Sequence, residues 1–122
     1  MERLPPETRE QFAQFQQIQQ QAQNLSLQKQ QLERNLRDTE QALKELKKLD
    51  EETPIYRSVG GILAKTSHSE ASEKLEDRKE TLNLRIKTVE RQEERINKRL
   101  EEMRAKIQKM LEGQQRSFEG GS

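Results

Sequence analysis

The stretch PIYRSVGGILAKT, residues 54–66, differs in character from the sequence on either side of it and decides the fold. Its apolar and aromatic residues favour β-strand, and the Gly-Gly pair between them can adopt the positive φ angles of a two-residue turn. The stretch therefore predicts one β-hairpin, with strands at 55–59 and 62–66. The residues assigned to this oligomerisation hairpin are Ile55, Tyr56, Val59, Gly60, Gly61, Ile62 and Leu63.

A single two-stranded hairpin is marginally stable alone and leaves both of its edges unpaired. We therefore expect this hairpin to pair with other chains. The alternative is an ordered linker that only joins two helices, which is the ordinary task of a short connection.

A long helix is predicted before the hairpin, over residues 7–51. Residues 7–51 contain no Gly or Pro, and from Phe15 onward apolar residues recur at alternating spacings of three and four. Eight of the ten seam positions between 15 and 46 are apolar, and the exceptions are Lys29 and Thr39. Four or more such heptads predict a coiled coil.

A second long helix is predicted after the hairpin, over residues 70–112. Its seam repeats every seven residues at Leu75, Leu82, Val89, Ile96, Met103 and Met110. Ser67 and Glu70 have the spacing of a capping box at the start of this helix, and Ser69 and Ser72 are alternative caps. Gly and Ser in residues 113–122 predict a flexible tail.

These elements predict a mostly α fold in a single domain, residues 1–122. Because the connection is short, the two helices should fold back as a long antiparallel coiled-coil hairpin with the β-hairpin between them. This arrangement brings Lys29 and Glu93, two opposite charges in the seam, within about one helical turn of each other. We expect the pair to help fix the register; the alternative is that each side chain reaches out of the seam to solvent.

Composition excludes several classes of protein. The chain of 122 residues is 37% charged and 29% hydrophobic, which is too little apolar material for an ordinary globular core. Its net charge is +1 with the signs interleaved, so it lacks the one-sided basic patch of a nucleic-acid-binding protein. No apolar run is long enough for a membrane span, the start lacks a signal-peptide pattern, and there is no cysteine. We therefore expect a cytoplasmic protein.

The sequence offers no support for catalysis. His68 is the only histidine and lies in the polar TSHSE connector, which favours a solvated side chain. There is no catalytic cysteine, no nucleophile elbow and no phosphate-binding loop. No zinc or calcium spacing is present either. We expect a non-enzymatic protein without cofactor or metal.

The remaining candidate is a binding surface where the helices should meet farthest from the hairpin. Antiparallel pairing brings Phe15 and Ile18 near Met103 and Ile107, and the glutamine-rich stretch QFAQFQQIQQQAQ, residues 11–23, borders them. Phenylalanine and methionine adapt to varied apolar partners; the alternative is that these residues only close the coil against itself. The surface, called the Phe–Met cluster below, comprises Leu4, Phe12, Phe15, Ile18, Met103, Ile107, Met110 and Leu111.

Three segments together resemble the β class of the prefoldin family, of the archaeal type. They are QQAQNLSLQKQQLE (20–33), the hairpin PIYRSVGGILAKT (54–66) and VERQEERINKRLEEM (89–103). The resemblance covers about residues 7–112, and a single hairpin fits the β class because the α class carries two.

The resemblance implies a hexamer of two α and four β subunits, in which the hairpins combine into an intersubunit β-barrel and the coiled coils project from it. It further implies an ATP-independent holdase that binds unfolded proteins at the coiled-coil tips and transfers them to a group II chaperonin. Carried onto this chain, strands 55–59 and 62–66 build the barrel and the Phe–Met cluster forms the tip. The main alternative is a scaffold coiled coil that oligomerises through the hairpin and binds no client.

Overall fold

The computed structural model describes the backbone of residues 4–120 and the side chains of residues 4–114. The chain forms helix α1 (Pro6–Lys48), strand β1 (Ile55–Val59), strand β2 (Ile62–Thr66) and helix α2 (His68–Gly120), in that order. The predicted fold class is confirmed: two long helices flank one antiparallel β-hairpin, and both strands have the predicted bounds.

Helix α1 ends three residues earlier than predicted. The amide of Leu49 donates to the carbonyl of Leu46 at 3.2 Å, which tightens the last turn, and the amide of Thr53 donates to Asp50 at 2.9 Å in the connection that follows. Pro54 disfavours helical backbone at the residue before it. Helical structure therefore stops ahead of Pro54, and a short turn leads into the hairpin.

Helix α2 starts two residues earlier and ends later than predicted. Its cap is Ser67, whose Oγ accepts a hydrogen bond from the amide of Glu70 at 3.1 Å. Residues 113–120, which were predicted as part of a flexible tail, continue the helix to Gly120. A glycine such as Gly113 costs a helix only about 1 kcal/mol relative to alanine, and no proline follows to stop it. Residues 121 and 122 lie outside the described residues.

The chain divides into two compact units. The terminal unit comprises residues 1–28 and 89–122, and the hairpin unit comprises residues 29–88. Each unit contains one segment of α1 and one of α2, so each has a seam of its own. None of the described helices contains a segment apolar and long enough to cross a membrane.

The hairpin unit buries leucines along its seam. Leu43, Leu46 and Leu82 are buried. Thr39, an exception in the apolar pattern, is also buried, because its Oγ1 donates to the carbonyl of Asn35 at 2.8 Å and so satisfies its only hydrogen. The threonine therefore packs in the seam without leaving a polar group unpaired.

The β-hairpin has the predicted two-residue turn. Val59 pairs with Ile62, so only Gly60 and Gly61 lie between the strands, with φ angles of +52° and +88°. Positive φ at both central residues is the property of a type I′ turn, whose twist matches that of the strands. Within the described residues, the sheet contains these two strands alone.

The terminal unit packs its two helical segments antiparallel. The guanidinium of Arg104 lies 5.9 Å from the ring centre of Phe15. Farther along α1, Leu25 lines a groove together with Ile96 of α2. Residues with higher numbers on α1 therefore contact residues with lower numbers on α2, as in an antiparallel pair. Ile18, Val89, Met103 and Ile107 are buried between them.

Candidate interaction surfaces

The β-hairpin exposes most of its apolar side chains. Tyr56 is 57% exposed and Leu63 is 74% exposed, and Val59 and Ile62 at the turn are also exposed. Only Ile55, at the start of β1, is half-buried among the predicted hairpin residues. Large apolar side chains clustered this densely on so small an element indicate an interaction site.

The two faces of the hairpin differ in their surroundings. Tyr56 and Leu63 stand on one face, because residues paired across the strands share a face and alternate along each strand. Ile55 and Ala64 stand on the other face and are half-buried, whereas Val59 and Ile62 stand on that same face at the turn and are exposed. The Tyr56–Leu63 face is therefore left uncovered by the hairpin unit itself.

A groove of about 480 Å³ lies between the hairpin and the adjoining helix ends. Its apolar lining includes Leu46, Leu49, Ile55 and Leu75. This groove was not predictable from the heptad pattern, because Leu49 follows the last helical residue and falls outside that pattern. The groove shares Ile55 and Tyr56 with the hairpin, so the two surfaces adjoin in the hairpin unit.

His68 joins the ends of the two helices in this unit. Its Nε2 lies 3.0 Å from the carbonyl oxygen of Leu46, and the side chain is partly buried. Because a carbonyl can only accept, Nε2 carries the hydrogen and donates it. The interpretation of His68 as a solvated connector residue is therefore wrong. The partner is 22 positions away, and no local pattern could indicate it.

The structure divides the Phe–Met cluster by exposure. Ile18, Met103 and Ile107 are buried in the seam of the terminal unit. The more accessible members are Leu4, Phe12, Phe15 and Met110, which are half-buried, and Leu111, which is 37% exposed. The buried members hold the helices together, whereas the accessible members are available to a partner. Their role in binding stays a prediction.

Phe15 has a neighbour that sequence analysis missed. Arg104 places its guanidinium over the Phe15 ring, at a distance typical of a cation–π contact. The only sequence signal is position, since Arg104 directly follows the buried seam residue Met103. The contact covers part of the ring and leaves the aromatic group half-buried.

The two predicted seam charges lie in different units. Lys29 is half-buried in the hairpin unit, and its Nζ lies 4.0 Å from Oε1 of Glu33, one turn along the same helix. Glu93 is half-buried in the terminal unit. Their mutual pairing stays a prediction. Among the described residues, no three His, Asp or Glu side chains are grouped so that they could hold a metal ion.

Comparison with known proteins identifies the family. The model of the prefoldin subunit family matches residues 9–114. The chain belongs to the prefoldin family. Members of this family are non-enzymatic chaperone subunits with a coiled-coil helical fold, as the sequence resemblance implied.

Individual relatives agree with this assignment. The prefoldin subunit beta of Archaeoglobus fulgidus is 47% identical over 114 residues, which is 93% of this chain and 98% of that protein. The prefoldin subunit beta of Methanosarcina acetivorans is 45% identical over 108 residues, with coverage of 88% and 92%. The chain is thus similar to archaeal β subunits over nearly its whole length.

Solved structures show the same fold. The crystal structure of the prefoldin beta subunit from Thermococcus strain KS-1 matches with a TM-score of 0.80 at 34% identity, covering 89% of this chain and 96% of that one. The beta2 subunit from the same strain matches with a TM-score of 0.67 at 23% identity, which shows a likeness of fold alone.

Proposed function

We propose that this chain is the β-type subunit of a prefoldin hexamer that holds unfolded proteins without ATP. In this complex four copies join two α-type subunits through their hairpins, and the Phe–Met cluster forms the client-binding tip of each coiled coil. The complex acts in the cytoplasm and transfers its clients to a group II chaperonin. Similarity to archaeal β subunits over nearly the whole chain supports this role.

The uncovered hairpin is the observation that supports assembly most strongly. Tyr56 and Leu63 expose more than half of their surface on an element whose two strands have no further strand partner within the described residues. Unpaired edges attract other strands, and covering apolar area contributes roughly 25 cal/mol per Å². Pairing with the hairpins of other subunits would satisfy both the edges and the apolar face.

Client binding rests on the accessible part of the Phe–Met cluster. Phe12, Met110 and Leu111 offer adaptable apolar contacts that fit many side chains without selecting one sequence. One such site binds weakly. Several sites acting on one unfolded chain raise the overall affinity, because each later contact is made at high effective concentration.

Release needs no chemical step in this scheme. Weak contacts dissociate individually, so a client leaves when it folds, or when a second binding protein competes for the same apolar segments. A group II chaperonin would be such a competitor. The interleaved charges on the outer helix faces keep the surface of the unoccupied complex polar.

Assembly is tested by the mass of the complex. The chain is co-expressed with an archaeal α-type subunit and examined by native mass spectrometry, for which we expect two α and four β subunits. Leu63→Lys should prevent assembly, because it puts a charge into the proposed intersubunit contact. Leu84→Lys, at another exposed leucine, on helix α2, should leave the hexamer intact. A hexamer that survives Leu63→Lys would contradict assembly through the hairpin.

Client binding is tested by the aggregation of a chemically denatured protein in the presence of the assembled complex. The triple variant Phe12→Ser, Phe15→Ser, Met110→Ser should lose most of its ability to suppress aggregation, since each change removes about 1 kcal/mol or more of apolar contact. A double control, Leu27→Ser and Leu84→Ser, removes exposed leucines outside the cluster. Full suppression by the triple variant with an intact hexamer would favour the scaffold alternative.

A further inference from the structure

The terminal unit contains a second surface whose chemistry differs from that of the Phe–Met cluster. A groove of about 400 Å³ runs along one flank of its seam, which is within the size range of ligand pockets. Its floor is apolar and its walls carry side-chain amides. The lining residues are Gln21, Asn24, Leu25 and Gln28 of α1 and Gln92, Arg95 and Ile96 of α2.

The residues that form the floor of this groove, called the amide groove below, are less exposed than the glutamines that form its walls. Leu25 and Ile96 are half-buried, whereas Gln21, Gln28 and Gln92 are exposed. The three glutamines occupy the same heptad position, next to the seam, so the walls follow from the helix repeat and do not depend on one local distortion. An extended chain lying in the groove would meet an apolar strip bordered by amides on both sides.

The glutamine side chains of the walls are not used inside the molecule. Among the described residues, the amides of Gln21, Gln28 and Gln92 make no hydrogen bond, whereas Asn24 accepts one from Gln20 at 3.3 Å. A carboxamide offers two donors and one acceptor, which complement the C=O and N–H groups of a peptide main chain. The groove thus presents unpaired main-chain-like groups beside an apolar floor.

Charge distinguishes this surface from the other helix faces. Residues 11–28 contain no charged residue, in a chain that is 37% charged. Arg95 is the only charged group in the lining, and its guanidinium can only donate. A cationic occupant therefore finds no acidic group in the lining and an anionic occupant finds only Arg95, whereas an uncharged main chain finds amide donors and acceptors on both walls.

We propose that the amide groove binds a short extended segment of a non-native polypeptide through its main chain. The inference rests on the proposed holdase function and adds a second kind of contact to it. Main-chain N–H and C=O groups are paired in folded proteins and unpaired in extended segments. The groove would therefore distinguish unfolded from folded clients independently of their side chains, which the Phe–Met cluster does not do.

The test compares two matched sets of glutamine substitutions in the full chain, assembled with its α-type partner. The groove variant carries Gln21→Ala, Gln28→Ala and Gln92→Ala. The control variant carries Gln16→Ala, Gln23→Ala and Gln30→Ala, at exposed positions outside the groove lining. Alanine favours helix in both sets, so circular dichroism and native mass should be unchanged.

The probes are two fluorescent eight-residue peptides with the same uncharged side chains, one of them N-methylated at alternate residues. For the unmethylated peptide, we expect the groove variant to bind about tenfold more weakly than wild type, because three modest hydrogen bonds are lost together. We expect the control variant to bind within about twofold of wild type, since its glutamines do not line the groove. The methylated peptide should bind the wild-type complex weakly, and its affinity for the groove variant should be only a little lower.

Three results would overturn the proposal. The first is an equal affinity of the groove and control variants for the unmethylated peptide. The second is an equal loss of affinity for both peptides in the groove variant. The third is a changed native mass of the groove variant, which would indicate that the groove is a contact between subunits. A failure of the holdase function itself gives a different result, because the wild-type complex would then neither bind the peptide nor suppress aggregation. If suppression depends on the Phe–Met cluster while groove and control variants match, only the groove proposal fails.

Discussion

The turn of the β-hairpin gives the sharpest quantitative prediction. Gly60 and Gly61 have φ angles of +52° and +88°, and a Cβ added at either position would meet no atom within 4 Å. Any cost of substitution therefore comes from backbone conformation and not from a clash. A left-handed backbone costs a residue with a side chain about 1–2 kcal/mol. The double variant Gly60→Ala, Gly61→Ala should thus destabilise the hairpin by about 2–4 kcal/mol.

Hydrogen exchange of the hairpin amides in the full chain measures this cost. We expect protection to fall by a factor between about 30 and several hundred, or to vanish if the hairpin is less protected than that. If the chain assembles through its hairpin as proposed, association with an α-type subunit should weaken in parallel, because only the formed hairpin would associate. Gly60→Asn is the control, since asparagine tolerates left-handed backbone. If the asparagine variant loses as much protection as the double alanine variant, backbone conformation does not explain the glycines.

Three further predictions concern the stability of the hairpin unit, measured by urea unfolding. Leu82→Ala should lower the free energy of unfolding by about 2–4 kcal/mol, because Leu82 is only 5% exposed. Leu84→Ala, at a leucine that is 59% exposed, should lower it by well under 1 kcal/mol. Equal losses for the two variants would contradict the packing of Leu82 in the seam. Ser67→Ala should lower the free energy of unfolding by about 1 kcal/mol because it removes the cap of α2, whereas Ser67→Asp should keep the wild-type stability because aspartate also caps helices. His68→Phe should cost about 1 kcal/mol through the lost hydrogen bond to the carbonyl of Leu46, and a neutral result would mean that this bond does not stabilise the joined helix ends.

The sequence sufficed for the β-hairpin because all its determinants are local. Strand-favouring residues and the Gly-Gly turn lie within residues 54–66, and nothing outside that stretch is needed to set the register. The start of α2 was nearly as predictable from the sequence, since the capping serine is three residues from Glu70. The end of α2 was not predictable in this way, because a single glycine such as Gly113 weakens a helix without ending it.

The candidate surfaces were less predictable because they depend on contacts between distant residues. Heptad spacing identified Phe15 as a seam residue, but its exposure depends on Arg104, which lies 89 positions along the chain. His68 contacts a carbonyl that has no sequence signature of its own. The amide groove was not predictable from the periodicity of apolar residues, because its walls are polar.

The most direct test of the account is to locate clients on the assembled complex by photocrosslinking. A photoreactive amino acid replaces Phe12 or Leu111 in the Phe–Met cluster, or the exposed Leu84 as reference, and the complex is mixed with a denatured protein. The account predicts strong crosslinks to the client from positions 12 and 111 and few from position 84, with the native form of the same protein giving few from any position. Crosslinks from position 84 that equal or exceed those from position 12 would contradict client binding through the Phe–Met cluster.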